Sequence, residues 1–344
     1  MQKKGIKSIH NTIMLTLLSA VLVCGFGYSN AHAASVKAKR LKFNHTVAET
    51  SLWHTYSVKF AELIKERTNG RYIVDIFPNT QLAAGNQAKT IEMLRAGTID
   101  IDLHSTTIWA GLDERFSIVL MPFLYRNYDD VFKFMNGESG KAFMKLVEEN
   151  GCVPIAFGDD GFREVLSIKG PLKTPADFKN LKIRVPGMTM FVDMYRMLGG
   201  DSTTMNWNEV FTSLQQKTID AMECPPELLE TGKFYEVTKH LTVWGGCYDP
   251  LIFAMSQKLR DSLSPEDLKI FMDTGKEVMD EQIQAQIKAN EHSIELMAPH
   301  VSVYRLTDDE VNAFKEALKP LYDKYSSKFP EELRKVMGYD QNRL

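Results

Sequence analysis

Apolar positions along this chain change period repeatedly, and each change marks an element. Between Arg40 and His45, Leu41 and Phe43 alternate with polar neighbours, which predicts a strand with one buried face. Trp53, Ser57, Phe60 and Ile64 then recur at helical spacing until Thr68-Asn69-Gly70, a stop signal. Tyr72, Val74 and Ile76 alternate along a second strand, a helix from about Gln87 to Ala96 stops at Gly97, and Ile99, Ile101 and Leu103 alternate again. Cys152 to Gly158 reads as a strand closed by a Gly158-Asp159-Asp160-Gly161 turn. Short strands alternating with helices predict an α/β protein with mainly parallel sheets.

The pattern repeats itself. Leu94, Thr98, Ile99 and Asp100 recur as Leu214, Thr218, Ile219 and Asp220, each at an offset of 120, and each set runs from the end of a helix into a strand. Duplicated lobes with a cleft between them follow from that. Helix starts are marked by Thr174-Pro175-Ala176-Asp177, by Asn206 with Glu209, and by Thr307 with Glu310. Ser264-Pro265-Glu266-Asp267 opens a run without internal proline to about Ala298, a helix of about 50 Å at 1.5 Å per residue. Its apolar residues keep no heptad, so it reads as a spine across a hinge. A strand at Val301 to Leu306, a helix to about Lys328 and a short polar tail follow.

The first residues change the compartment. Lys3, Lys4 and Lys7 precede an apolar run from Ile13 to Phe26, and Ala31-His32-Ala33 forms a small-residue cleavage pattern before Ala34. Residues 1–33 are therefore expected to be an export signal rather than a membrane anchor, since the run is too short to span a bilayer. Removing three lysines and no carboxylate takes the net charge from -3 to -6, which argues against nucleic acid as a partner. Cys152, Cys224 and Cys247 would enter an oxidising compartment, either as one bridge and a free thiol or as three buried thiols. No CxxC pair or HExxH motif supports a zinc site, and no cofactor fingerprint is present.

The absence of a P-loop, a dinucleotide-binding glycine fingerprint or a nucleophile elbow favours binding over turnover. Capturing an organic anion needs fixed guanidinium groups, because arginine offers a planar fork to a carboxylate and keeps its proton. Arg163 follows the Gly-Asp-Asp-Gly segment, and Arg184 ends the strand Leu181-Lys182-Ile183-Arg184-Val185-Pro186. On position alone, either reads equally as a lobe-edge residue paired with a carboxylate such as Asp159, Asp160 or Glu164.

Several segments together resemble a known family. Phe77-Pro78-Asn79-Thr80-Gln81-Leu82, Arg95-Ala96-Gly97-Thr98-Ile99-Asp100, Met121-Pro122-Phe123-Leu124, Gly161-Phe162-Arg163, the Arg184 strand, Glu209-Val210-Phe211, Asp220-Ala221-Met222-Glu223 and Lys233-Phe234-Tyr235-Glu236-Val237 are similar, in order, to the solute receptors of TRAP (tripartite ATP-independent periplasmic) transporters. The resemblance implies a two-lobed periplasmic binding protein with a long hinge-spanning helix. It further implies closure on an organic acid and delivery to membrane permease subunits. It makes Arg184 the carboxylate clamp and Arg163 a second contact. The expected division is residues 34–160 with 248–289 for lobe I and 161–247 with 290–344 for lobe II, in a monomer.

One departure bears on the ligand. Where many such receptors read Glu-Asn-Pro, this chain reads Glu223-Cys224-Pro225, and a weakly bonding thiol replaces an amide. With Met188 and Met190 after the arginine strand, this argues against a sialic-acid or sugar-acid ligand. Trp53, Phe162 and Trp207 are expected to line the pocket, whereas Trp109 and Trp244 read as core. The favoured ligand is an aromatic or apolar monocarboxylate, with a C4-dicarboxylate second. Two other readings keep the chain and change the job: a sensor presenting its ligand to a receptor kinase, or a thiol enzyme with Cys224 as nucleophile and His104 or His240 as base.

Overall fold

In the computed structural model, which describes residues 37–339, the alternations become β1 (Lys39–His45), α1 (Leu52–Arg67), β2 (Tyr72–Phe77), α2 (Gln87–Arg95), β3 (Ile101–Ser105), α3 (Thr106–Leu112), α4 (Tyr128–Asn136) and α5 (Glu138–Glu149). Leu41 and Phe43 are fully buried in β1, and the buried residues of α1 are Trp53, Ser57, Phe60 and Ile64, the positions its periodicity marks. The chain continues through β4 (Cys152–Ser167), β5 (Lys182–Val185), α6 (Thr189–Met197), β6 (Asp201–Thr204), α7 (Trp207–Gln215), β7 (Ala221–Cys224) and α8 (Pro226–Thr231). It ends with β8 (His240–Ser256), α9 (Gln257–Ser262), α10 (Pro265–Met297), β9 (Ser302–Arg305), α11 (Asp308–Ser326) and α12 (Glu331–Met337). The expected export signal lies outside the described residues, among which no helix is long and apolar enough to cross a membrane.

The strands form a mixed sheet in the order β2-β1-β3-β8-β4-β7-β5-β6, with β9 also paired to β8. β4 and β8 run antiparallel from Cys152 opposite Ser256 to Ser167 opposite His240 and cross the whole molecule. β3, β1 and β2 extend one end of this pair, and β7, β5, β6 and β9 extend the other, which gives a two-lobed α/β protein. Separate apolar clusters cover the two sheet faces.

The 120-residue repeat has a structural counterpart. The amide of Asp100 donates to Lys42 O at 3.1 Å while its carboxylate accepts from Lys42 N at 2.8 Å. Asp220 makes the same pair of bonds with Lys182, at 2.7 and 3.0 Å. Thr98 and Thr218 each cap the preceding helix, donating to Met93 O and Ser213 O at 3.0 and 3.1 Å. One local hydrogen-bonding solution has been used in both lobes.

α10 has 33 residues, with Ser264 accepting from Asp267 N at its start, so it spans about 50 Å. The structure corrects three sequence expectations. Gly158-Asp159-Asp160-Gly161 is not a turn but part of the continuous β4, with register shifts at Pro154/Ala156, Asp159/Gly161 and Arg163/Val165. The reason is distant: Gln282 and Asn290 of α10 satisfy the irregular backbone, bonding Asp159 N and O at 2.8 Å and Asp160 O at 2.9 Å. The helix expected at Thr174 is one short 3-10 turn over Pro175–Phe178. In place of a polar tail, α12 packs on α5.

Candidate functional site

Arg184 sits on β5, flanked by parallel partners β6 and β7. It is 2% exposed, and its Nε and Nη2 donate to Met205 O at 3.0 and 2.7 Å. No carboxylate lies within ion-pair distance of it, and three of its five N–H groups have no protein acceptor among the described residues. Burial lowers its proton affinity to about 10, opposed by Glu223 and Cys224, so the guanidinium is still charged at neutral pH.

Arg163 is equally buried but committed. Its Nε and Nη2 face the Glu223 carboxylate, Nη2 also donates to Glu223 O at 3.1 Å, and Nη1 donates to Asp249 at 2.5 Å. Burial alone would weaken its hold on the proton, but Glu223 and Asp249 more than offset that. Asp249 is itself held by Ser105 Oγ at 2.6 Å and by Thr106 N at 3.1 Å.

Both arginines line one narrow cavity of about 30 Å³, together with Cys224, Trp53, Trp207, Asp160, Thr46, Gln87, Ser105 and Thr107. Trp53 Nε1 donates to Asp160 Oδ1 at 3.2 Å, and the Trp207 ring meets Phe234 edge-on with centroids 5.0 Å apart. Gln87 Oε1 accepts from Trp207 N at 3.1 Å, and Glu227 of α8 accepts from Leu52 N at 3.0 Å, so two bonds link elements from opposite ends of the sheet. Five of the seven residues singled out in the sequence thus meet at one place. Phe162 and Met188 do not line it. Phe162 packs between Tyr128 and Tyr248, and Met188, 1% exposed, belongs to the core beside α6 with Met190. Trp109 and Trp244 are core residues, as read.

The polar lining residues missed in the sequence are Thr46, Gln87, Ser105, Thr107 and Asp160. Gln87 carried a signal, since it stands 120 positions before Trp207, in the register of the repeat. A larger groove, about 600 Å³, opens between α4, α5 and α10, but its lining is mostly apolar, and its charged residues Lys141, Lys276 and Asp280 are ion-paired or exposed. It holds nothing suited to a buried anion.

All three described cysteines are free and buried, so the bridge reading falls. Burial pushes the Cys224 thiol well above its usual range, which disfavours the thiolate that a nucleophile needs. His104, the base considered for it, bonds instead to Thr46 and Thr90.

The model of "Bacterial extracellular solute-binding protein, family 7" matches residues 43–328. The 2,3-diketo-L-gulonate-binding periplasmic protein of Escherichia coli K12 is 31% identical over 292 residues, which are 85% of this chain and 88% of that protein. A C4-dicarboxylate-binding periplasmic protein of Rhodobacter capsulatus is 28% identical, over 85% and 88% of the two chains. The crystal structure of a TRAP periplasmic solute-binding protein from Ralstonia eutropha H16, with bound (S)-2-acetolactate, superposes with a TM-score of 0.84 at 30% identity, covering 87% of this chain and 98% of that one.

Proposed function

The chain belongs to bacterial extracellular solute-binding protein family 7, the receptors of TRAP transporters for small organic acids, and within that family we propose that it is a periplasmic receptor whose Arg184 clamps the carboxylate of a monocarboxylic acid. One observation carries this reading: Arg184 is a buried, charged guanidinium in a cavity wall without a carboxylate partner. An isolated buried charge is expensive, and an anionic ligand supplies the missing counter-charge through the geometry a fork prefers. Arg163 contributes its remaining Nη1 hydrogen and positions Glu223 and Asp249. Cys224, Trp53 and Trp207 shape the walls. The relatives named above for a keto-sugar acid and for C4-dicarboxylates support the organic-acid class.

Lobe closure is the proposed mechanism. The lobes divide where β4 and β8 cross at Asp159–Gly161 opposite Asp249, with residues up to about 160 and 248–289 on one side and 161–247 with 290–330 on the other. α12, which packs on α5, goes with the first side. A ligand bridging both halves binds the closed form better and shifts the population toward it. The closed complex is then read by the permease subunits.

A thermal-shift screen tests the reading. Small carboxylic acids are compared with their uncharged amides on the chain without residues 1–33. A ligand of the folded state at a hundredfold excess over Kd stabilises by about 2.7 kcal/mol. Acids that raise Tm while their amides do not support the carboxylate clamp. A shift from amides or neutral sugars alone contradicts it.

A further inference from the structure

Asn290, on α10, does not line the cavity, yet it holds the backbone of two of its walls. Its Nδ2 donates to Asp160 O on β4 at 2.9 Å, and its Oδ1 accepts from Glu227 N on α8 at 3.0 Å. A carbonyl only accepts and a backbone N–H only donates, so these two partners fix which way the side-chain amide faces.

Each attachment answers a local need. α8 follows Cys224-Pro225-Pro226, where neither proline has an N–H and Pro225 offers no side-chain cap. Glu227 N is therefore the first donor of that helix, and Pro225 O is already shared by Leu228 N and Leu229 N at 3.1 and 3.2 Å. Asn290 caps Glu227 N from 63 residues away. On β4, the register shift between Asp159 and Gly161 leaves Asp160 without a partner in the ladder. Gly161 has φ +114°, and a Cβ there would lie 2.2 Å from Asn290 Nδ2, so the bulge is built around this amide.

The two attachments lie at either end of the closing motion. Asp160 is the last residue on one side of the hinge described above, while Asn290 and Glu227 belong to the other. The Glu227 carboxylate reaches back across, to Leu52 N at 3.0 Å and to the Ser51 hydroxyl at 3.3 Å. One side chain thus joins the point where β4 bends to the helix through which the lobes touch.

Resting on the lobe-closure reading above, we propose that Asn290 is a positioning residue for ligand capture: it seats α8 on the β4 bulge, and the contact of Glu227 with α1 depends on that seating. Gln282, about two turns earlier on α10, is the natural control. It is fully buried and bonds Asp159 N and O at 2.8 Å each, so it supports β4 as strongly, but among the described residues it has no hydrogen bond to α8.

The test reads the Leu52 amide. As the first N–H of α1 it has no acceptor in its own helix, and its partner is Glu227, so its protection from exchange reports the contact between the lobes without any ligand. Hydrogen–deuterium exchange, resolved to single amides by electron-transfer fragmentation, is compared for the chain without residues 1–33 as wild type, Asn290→Ala and Gln282→Ala. Asn290→Ala is expected to lower Leu52 protection at least fivefold, and Gln282→Ala to change it less than twofold even where the two variants lose similar Tm. Equal losses in both variants, or a Leu52 amide in Asn290→Ala within twofold of wild type, overturn the proposal and show a purely structural amide. A wild-type Leu52 amide that exchanges freely means there is no contact to position, and removes the proposal together with the closed packing. No ligand is added, so the carboxylate clamp is judged separately by the screen of acids against amides. Should Asn290→Ala fail to fold, wild-type exchange in rising urea decides: Leu52 is expected never to be more protected than Glu227 N–H, and the reverse order overturns the proposal.

Discussion

Glu227, on α8, accepts hydrogen bonds from the Ser51 hydroxyl at 3.3 Å and from the Leu52 amide at 3.0 Å, and so places a carboxylate on the N-terminus of α1, 175 residues away in sequence. Ser51 is the N-cap of that helix. The two elements stand on opposite sides of the proposed hinge, so opening breaks these bonds. A carboxylate at a helix N-terminus contributes about 0.3–2 kcal/mol, and a charged hydrogen bond about 1.5–3. Glu227→Ala is therefore expected to weaken ligand binding about tenfold or more without altering the ranking of ligands, as read by calorimetry. Unchanged affinity rules out a role for this contact in closure.

Close backbone approach gives a second prediction. A Cβ on Gly111, in α3, would lie 2.3 Å from the carbonyl oxygen of Gly187 after β5, whereas a Cβ on Gly187 meets nothing within 4 Å. Gly111→Ala is expected to impair binding at least tenfold by wedging the cleft, and Gly187→Ala to leave it within about twofold. Similar affinities for the two variants contradict a cleft that closes on this backbone contact.

The two arginines differ in what their loss does. Arg163→Met leaves Glu223 and Asp249 buried without a cation, and breaking a buried pair costs about 3–5 kcal/mol. Its unliganded Tm is expected to fall by about 5–8 °C, since an unfolding entropy of about 2.1 cal/mol/K per residue makes each kcal/mol worth about 1.5 °C in a chain of about 300 residues. Arg184→Met removes an unpaired buried charge and is expected to leave that Tm unchanged or higher. Differential scanning calorimetry without ligand separates the two.

This contrast marks how far the sequence could be read. The helix and strand periods, the long α10 and the 120-residue repeat were legible because they depend on neighbours within a few residues or on direct self-similarity. Arg184 was legible as a strand-end arginine, but its lack of a carboxylate partner was not, since that is a property of everything packed around it. Asp159 and Asp160 were misread as turn residues because their composition is that of a turn. Tyr128 and Tyr248, which bond Asp159, and Gln282 and Asn290 on α10 keep the strand continuous from more than 30 positions away. Phe162 and Met188 were drawn into the site by their position beside the arginines. Met188 is buried and Phe162 half-buried against other apolar residues instead.

Buried acids set the pH response. Burial raises Asp102 to about 8, opposed by Asn44, and Glu164 to about 8, opposed by the amides of Gly245 and Trp244. It raises Asp159 and Glu227 to about 7. Each binds its proton more tightly folded than unfolded, so its contribution is fully present below the unfolded value near 4 and is lost as pH rises through the folded value. His45 and His104, lowered to about 3 by burial, act oppositely but only below about 6.5. Between pH 6.5 and 8 the acids act alone, and Tm is expected to fall by several degrees. Asp102→Asn is expected to flatten that slope, and a Tm that climbs across this window contradicts the assignment.

The central claim is most directly tested by calorimetric titration of the best acid from the screen into wild type, Arg184→Ala and Arg184→Lys, with unliganded melting as the control for folding. The account predicts at least a 100-fold loss in Arg184→Ala and a substantial loss in Arg184→Lys, whose ammonium keeps the charge but not the fork. Arg184→Ala binding the acid within threefold of wild type would contradict it.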